Sequence, residues 1–195
     1  MKTLCFTGHR PKDLGGYNEN NPTAESVKLN LRDLILKSIE RGFTTFISGM
    51  AIGVDQWAAE IVIDLKNEGH DIELWAFLPF EGQPCAWPTG RDRWTNILKE
   101  ASLIKCINLD KNITFEEALE LADNFDSNVQ KWQVVKWLNL RNEALVNAAD
   151  TVLGIWNGNP HGGTFNCLTY AQKQNKPIIV FDPVKDAVYR MEKND

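Results

Sequence analysis

The sequence predicts an α/β fold with a mostly parallel central sheet between layers of helix. Two observations carry this. Short β-like hydrophobic runs alternate with longer segments of helical periodicity along nearly the whole chain. Two of the β-like runs pass through glycine-bearing loops into helices, at Thr45–Asp55 and Val152–Thr164. In parallel sheets such junctions lie at the carboxyl ends of strands, where ligands bind near a switch in strand order.

The elements follow in order. Residues 2–7 read as a first strand, and a polar loop with Gly15, Gly16 and Asn18–Pro22 follows. Val27, Leu31, Leu34, Ile35 and Ile39 fall at helical spacing and predict a helix over Ala24–Arg41, stopped by Gly42. Phe43–Ser48 is the second strand. Gly53–Glu68 is the second helix, with Val54, Ala58, Ile61, Val62 and Leu65 on one face. Ile72–Phe77 is a third strand, ended by Pro79. Phe80–Gly90, with Pro84 and Pro88, is a loop. Arg91–Glu100 reads as helix and Leu103–Ile107 as strand. Residues 110–130 are acidic and weakly patterned, and read as a surface excursion with room for a short helix. Lys131–Ala149 is helical. Thr151–Trp156 and Pro177–Phe181 are the last strands, around a helix over Thr164–Gln174. The tail after Pro183 is expected to be loosely held. There are no repeats and no low-complexity tracts.

With 195 residues the chain reads as a single domain. No stretch is apolar enough to span a membrane, and the apolar part of Met1–Gly8 is too short for a signal peptide. The four cysteines (Cys5, Cys85, Cys106, Cys167) are dispersed, as expected of free thiols in a reducing cytoplasm. The histidines (His9, His70, His161) are dispersed too, so no metal cluster is expected. A net charge of −5 weighs against gripping a nucleic-acid backbone. Most of the seven tryptophans are expected in the core, with one or two available to stack on a base.

Four constellations could carry chemistry. The first loop offers Ser48, Gly49, Gly53 and Asp55. Its glycines let a ligand approach the backbone, whereas an ordinary strand–turn–helix junction is the alternative. The Asp55 carboxylate would repel a phosphate on its helix, so it caps the helix, orients the loop or meets a sugar hydroxyl. The second loop sets Gly162, Gly163 and Thr164 at a helix start, where backbone N–H groups and a hydroxyl hold an anion. His161 adds a donor there or is simply solvated. Arg141 interrupts an apolar stripe with Trp137, Leu145 and Ala148, and demands an anionic partner. That partner is a structural carboxylate or a ligand phosphate. Glu143 falls on a more polar face. Finally, Gly8, His9 and Arg10 follow the first strand at the same sheet edge, as a surface turn or as further phosphate contacts.

The run Phe6-Thr7-Gly8-His9-Arg10-Pro11, with Ser48-Gly49 through Gly53, Asp55 and Trp57-Ala58-Ala59-Glu60, resembles the YpsA-like branch of the SLOG superfamily. That Rossmann-like group includes the Lonely Guy phosphoribohydrolases and the DprA DNA-processing proteins. Ser48–Asp55 is also similar to the DprA glycine loop. Gly162-Gly163-Thr164 matches the core of the Lonely Guy motif P-G-G-x-G-T-x-x-E, and Arg141-Asn142 stands where those enzymes carry Arg-Lys. The resemblance spans about residues 2–182. It implies a Rossmann-like three-layer sandwich with a nucleotide pocket. It departs where function is decided: Cys167 replaces the motif glutamate and Asn142 the lysine. Cleavage of an N-glycosidic bond needs a carboxylate by the ribose, for which Asp55 and Glu60 are candidates and Glu143, on its polar face, a weaker one.

Three functions compete. The first is sensing or sequestration of a nucleotide-derived signalling ligand, with Trp57 or Trp156 over the base. The superfamily context implies bacterial stress or phage signalling. The second is a nucleoside-monophosphate phosphoribohydrolase of Lonely Guy type. The third is DprA-like single-stranded DNA binding, against which the charge counts. The first is favoured, with no cofactor and no metal expected, no membrane partner, and homo-oligomerisation left open.

Overall fold

The computed structural model describes residues 1–87 and 89–191. The elements are β1 (Lys2–Gly8), α1 (Pro22–Glu40), β2 (Phe43–Ser48), α2 (Val54–Asn67), β3 (Glu73–Leu78), α3 (Arg91–Glu100), β4 (Leu103–Cys106), β5 (Lys111–Ile113), α4 (Phe115–Asp123), α5 (Lys131–Ala148), β6 (Thr151–Ile155), α6 (Gly162–Lys173), β7 (Ile178–Asp182) and β8 (Ala187–Met191). They form one eight-stranded sheet in the order β5-β4-β3-β2-β1-β6-β7-β8. The inner pairings are parallel, and only the outermost strands β5 and β8 pair antiparallel. The fold is a Rossmann-like three-layer sandwich.

Strand side chains alternate between the two faces of the sheet. Leu4 and Phe6 point into a core shared with α1, α2, α3 and α4, through residues such as Leu31, Val62, Trp94 and Ala118. Cys5, Ile47 and Val152 point into a core on the other face, shared with Leu145 of α5 and Leu168 of α6. Because both faces are covered, β1 is buried at five consecutive positions, as parallel strands are.

The chain builds outward from β1 to β2, β3 and β4. It then returns through α5 to place β6 against the other side of β1, with Leu4–Gly8 opposite Thr151–Ile155. The strand order reverses between β1 and β6. The loops leaving these two strands diverge there and open a crevice at the carboxyl edge of the sheet.

Three local expectations are amended. Helix α1 begins at Pro22, two residues early, because the Asn21 side chain accepts from the Ala24 N–H at 2.9 Å and proline suits a first helical position. Residues 110–130 contain β5 as well as α4, which starts at a Thr114–Glu117 capping box. The tail is not loose as far as Met191, since β8 pairs along the length of β7. Its turn is held by Asp182, whose Oδ1 accepts from the N–H groups of Val184 and Lys185. Residues 192–195, the rest of that tail, lie outside the described residues. So does Pro88 of the Phe80–Gly90 loop, which otherwise contains a short 3-10 turn over Gln83–Ala86.

Candidate functional site

The crevice between β1 and β6 holds a cleft of about 480 Å³. Four segments wall it: the end of β1 with Thr7–Arg10, the first turn of α2 with Asp55, the face of α5 bearing Leu138, Arg141 and Asn142, and the start of α6.

Of the first glycine loop only Ala51 and Asp55 reach the wall, and the rest supports it from behind. Ser48 is fully buried. Its hydroxyl donates to the Asp55 carbonyl at 2.7 Å and accepts from the Met50 N–H at 3.1 Å. The Gly49 carbonyl accepts from Gln83 Nε2, and the Met50 carbonyl from Gln56 Nε2. These backbone groups are thus consumed inside the protein. Gly53, at φ 98°, adopts a conformation glycine favours, and a Cβ there would lie 2.7 Å from the His9 carbonyl oxygen. Glycine lets the β1 loop cross the start of α2. Gly49 has a different reason: a Cβ would fall 1.5 Å from Arg141 Nη1.

Arg141 occupies that space. Its Nη1 donates to Asp55 Oδ2 at 2.9 Å, with both side chains buried. The structural carboxylate foreseen for this arginine is therefore present, and it comes from the first loop. Asp55 Oδ2 also receives the Ala51 N–H at 3.4 Å. Arg141 Nε is buried with no partner among the described residues, so the guanidinium has unused donor capacity beside the cleft.

The second loop forms the wall itself. Helix α6 starts at Gly162, whose φ is 90°, and no side chain caps it from His161. The N–H groups of its first turn, at Gly162, Gly163 and Thr164, are left to the cleft. Asn142 Nδ2 donates to the Gly163 carbonyl at 3.2 Å and fixes this turn against α5.

Arg10 also lines the cleft, and its side chain has no hydrogen bond or ion pair among the described residues. Burial lowers its pKa below the ordinary arginine range, with Asp55 opposing the shift and nearby Arg141 adding to it; it stays a cation at any ordinary pH. His9 plays a different part. Its Nε2 accepts from the Asn157 N–H at 3.1 Å, tying the β1 loop to the β6 loop. Accepting there requires the neutral ring, and burial holds the pKa below 6.5.

The YspA SLOG family model matches residues 4–112, more than half of the chain. The chain belongs to the YspA SLOG family. Over their full alignment of 202 residues, UPF0398 proteins of Bacillus thuringiensis (strain Al Hakam) and Bacillus cereus (strains AH187 and Q1) are 25% identical to it, covering 100% of this chain and 99% of theirs. The span matched by the YspA SLOG model carries Gly8–Arg10 and Ser48–Asp55. Arg141 and Gly162–Thr164 lie beyond it.

In this YspA SLOG protein the structure gathers Gly8, His9, Arg10, Asp55, Arg141, Gly162, Gly163 and Thr164 around one cleft. Ser48, Gly49 and Gly53 stand behind its wall. Glu60 lies outside it, with a carboxylate oxygen 2.7 Å from Arg93 Nε; Arg93 also pairs with Glu19. Trp57 is packed into the core under α2, and Trp156 is tied by its indole N–H to the Asn159 carbonyl and stacked on Phe165. Neither lines the cleft. Cys167, at the position of the motif glutamate, is fully buried, and burial raises its thiol to about 11 although a hydrogen bond from Thr7 lowers it.

The residues missed include the asparagines Asn139, Asn142, Asn157, Asn159 and Asn166, and the charged Lys12 and Asp13 after β1. Neutral amides leave no charge signal in a sequence. On α5 the spacing of Val135, Leu138, Asn139 and Asn142 runs alongside Arg141 and marks one helix face, which was the available clue. Among the described residues no group of His, Cys, Asp or Glu is arranged to hold a metal ion, and no helix is long and apolar enough to cross a membrane.

Proposed function

We propose that this protein recognises a nucleotide-derived ligand in the cleft between β1 and β6, sensing or sequestering it in a bacterial or phage signalling setting. The ligand's phosphate rests on the first turn of α6, held by the N–H groups of Gly162, Gly163 and Thr164 and the Thr164 hydroxyl, with Arg10 as countercharge. One observation carries this reading. An uncapped helix N-terminus shares a cleft with an arginine that has no protein partner and a second, buried arginine with a free Nε. Asp55 orients Arg141 rather than meeting the ligand's phosphate.

Recognition is favoured over turnover by the carboxylates. Asp55 is engaged by Arg141 and Glu60 by Arg93, and position 167 carries a buried thiol. None of these three is poised to stabilise an oxocarbenium-like transition state, so hydrolysis would fall to the other carboxylates of the cleft and its adjoining groove, Asp13 and Glu143. Single-stranded DNA binding is disfavoured by the net charge of −5.

Titration calorimetry with NAD, ADP-ribose, nucleoside monophosphates and cyclic nucleotides tests the proposal. At least one is expected to bind, and Arg10→Ala to weaken it by about tenfold. A panel without heat, and without a ligand-induced shift in unfolding temperature, overturns the reading. Release of free base from any of these compounds would replace recognition with hydrolysis.

A further inference from the structure

The cleft does not end at the α6 N-terminus. Asn139, Asn142 and Asn166 also line a second cavity of about 260 Å³, in the groove between α5 and α6. We propose that this groove is a nucleoside subsite, in which Glu143 accepts hydrogen bonds from the vicinal hydroxyls of a ribose and the base lies against Phe165. The inference rests on the reading that the adjoining cleft holds the ligand's phosphate.

Three observations support it. Glu143 lines the groove, and among the described residues its carboxylate has no hydrogen-bond or ion-pair partner. An ionised carboxylate only accepts, which suits a pair of sugar hydroxyls and repels a second phosphate. The groove walls are also fixed in advance. Phe165 stacks on Trp156 at 6.1 Å, and the Tyr170 hydroxyl bonds Asn147 Oδ1 at 3.2 Å. Preset walls reduce the ordering cost of binding. Finally, the length fits. From Gly163 to Tyr170 the helix rises about 10 Å, the reach of one nucleoside beyond its 5′-phosphate.

The test is calorimetry with three probes: AMP, 2′-deoxy-AMP and inorganic phosphate. They are titrated into the native chain, Glu143→Gln and Arg10→Ala. The native chain is expected to bind AMP about tenfold more tightly than 2′-deoxy-AMP. Glu143→Gln is expected to abolish that preference while leaving inorganic phosphate unaffected. Arg10→Ala is expected to weaken all three alike. If the native chain binds both nucleotides equally, or if Glu143→Gln keeps the preference, the subsite is refuted, while an Arg10→Ala effect leaves the phosphate site standing. If no probe binds the native chain, the phosphate site fails and the subsite fails with it.

Discussion

Arg141 Nη1 and Asp55 Oδ2 meet at 2.9 Å across 86 residues of sequence, with side-chain exposures of only 7% and 5%. This pair joins α5 to α2 above the sheet and shapes the floor of the cleft. Its energetics are asymmetric. Two buried ions roughly offset their own desolvation, but one left alone does not. Asp55→Ala is therefore expected to cost about 3–5 kcal/mol in urea unfolding. Adding Arg141→Met to Asp55→Ala is expected to recover part of that loss, because the orphaned charge is removed. A double variant as unstable as the sum of the two singles would refute the coupling.

The glycines of the two loops should respond in opposite ways to a methyl group. At Gly49 it would strike Arg141 Nη1 and stand 2.8 Å from Asp55 Oδ2. Gly49→Ala is expected to destabilise by several kcal/mol, on the scale of about 3. At Gly163 the nearest atom is Asn142 Nδ2 at 4.0 Å, and φ is not positive. Gly163→Ala is expected to be neutral or to stabilise by up to about 1 kcal/mol, since alanine is the better helix former. Thermal unfolding of both variants checks the contrast.

His9 links stability to pH. Its pKa is lowered in the folded protein by burial, so the unfolded chain binds the proton more readily. Its contribution is complete above the unfolded value of about 6.5. That contribution falls as pH drops through 6.5 toward the lower folded value, where a proton on Nε2 would break the bond from Asn157. The unfolding free energy is expected to decline between pH 7 and 5, and His9→Gln to flatten that decline. An unchanged slope in the variant would remove His9 as the cause.

Thiol reactivity should separate the cysteines. Cys85 is exposed, whereas Cys5, Cys106 and Cys167 are buried. Burial raises Cys106 to about 12, with Glu81 adding to it, and Cys167 to about 11. Since the thiolate is the reactive form, a thiol reagent at pH 8 is expected to label one cysteine quickly and the rest only on unfolding. Fast labelling of Cys167, read by peptide mass, would revive it as a chemically active group.

Most of the scaffold was legible because its strands and helices have the burial that imposes a pattern. Helices α2 and α3 and strand β2 fall where period and punctuation put them. The edge strands β5 and β8 did not announce themselves, since a short, exposed edge has no continuous apolar run. Arg141 was legible as a residue in need of an anion, but nothing local names Asp55 as the partner. Trp57 was offered as a cover for a base, yet it sits three residues after Val54 and beside Ala58, on the face that α2 buries. Ser48, Gly49 and Gly53 look like a phosphate loop in one dimension. In three dimensions the Ser48 hydroxyl is spent on Asp55 and Met50, and the Gly49 and Gly53 carbonyls on Gln83 and Trp57.

Strand β1 lies in the middle of the sheet, yet one of its two neighbours is β6, which begins at Thr151. A chain emerging from its N-terminus acquires β2 early and leaves the opposite edge of β1 unpaired through the synthesis of α5. Asp55 waits equally long for its arginine. The segment from α5 to α6 supplies the strand that pairs the open edge, the arginine that neutralises the carboxylate and one side of the cleft. The candidate site is thus the seam of assembly. Its long-range contacts are those that loop closure makes slowest, so a nascent or truncated chain lacking this segment holds half a sheet and no place for a ligand.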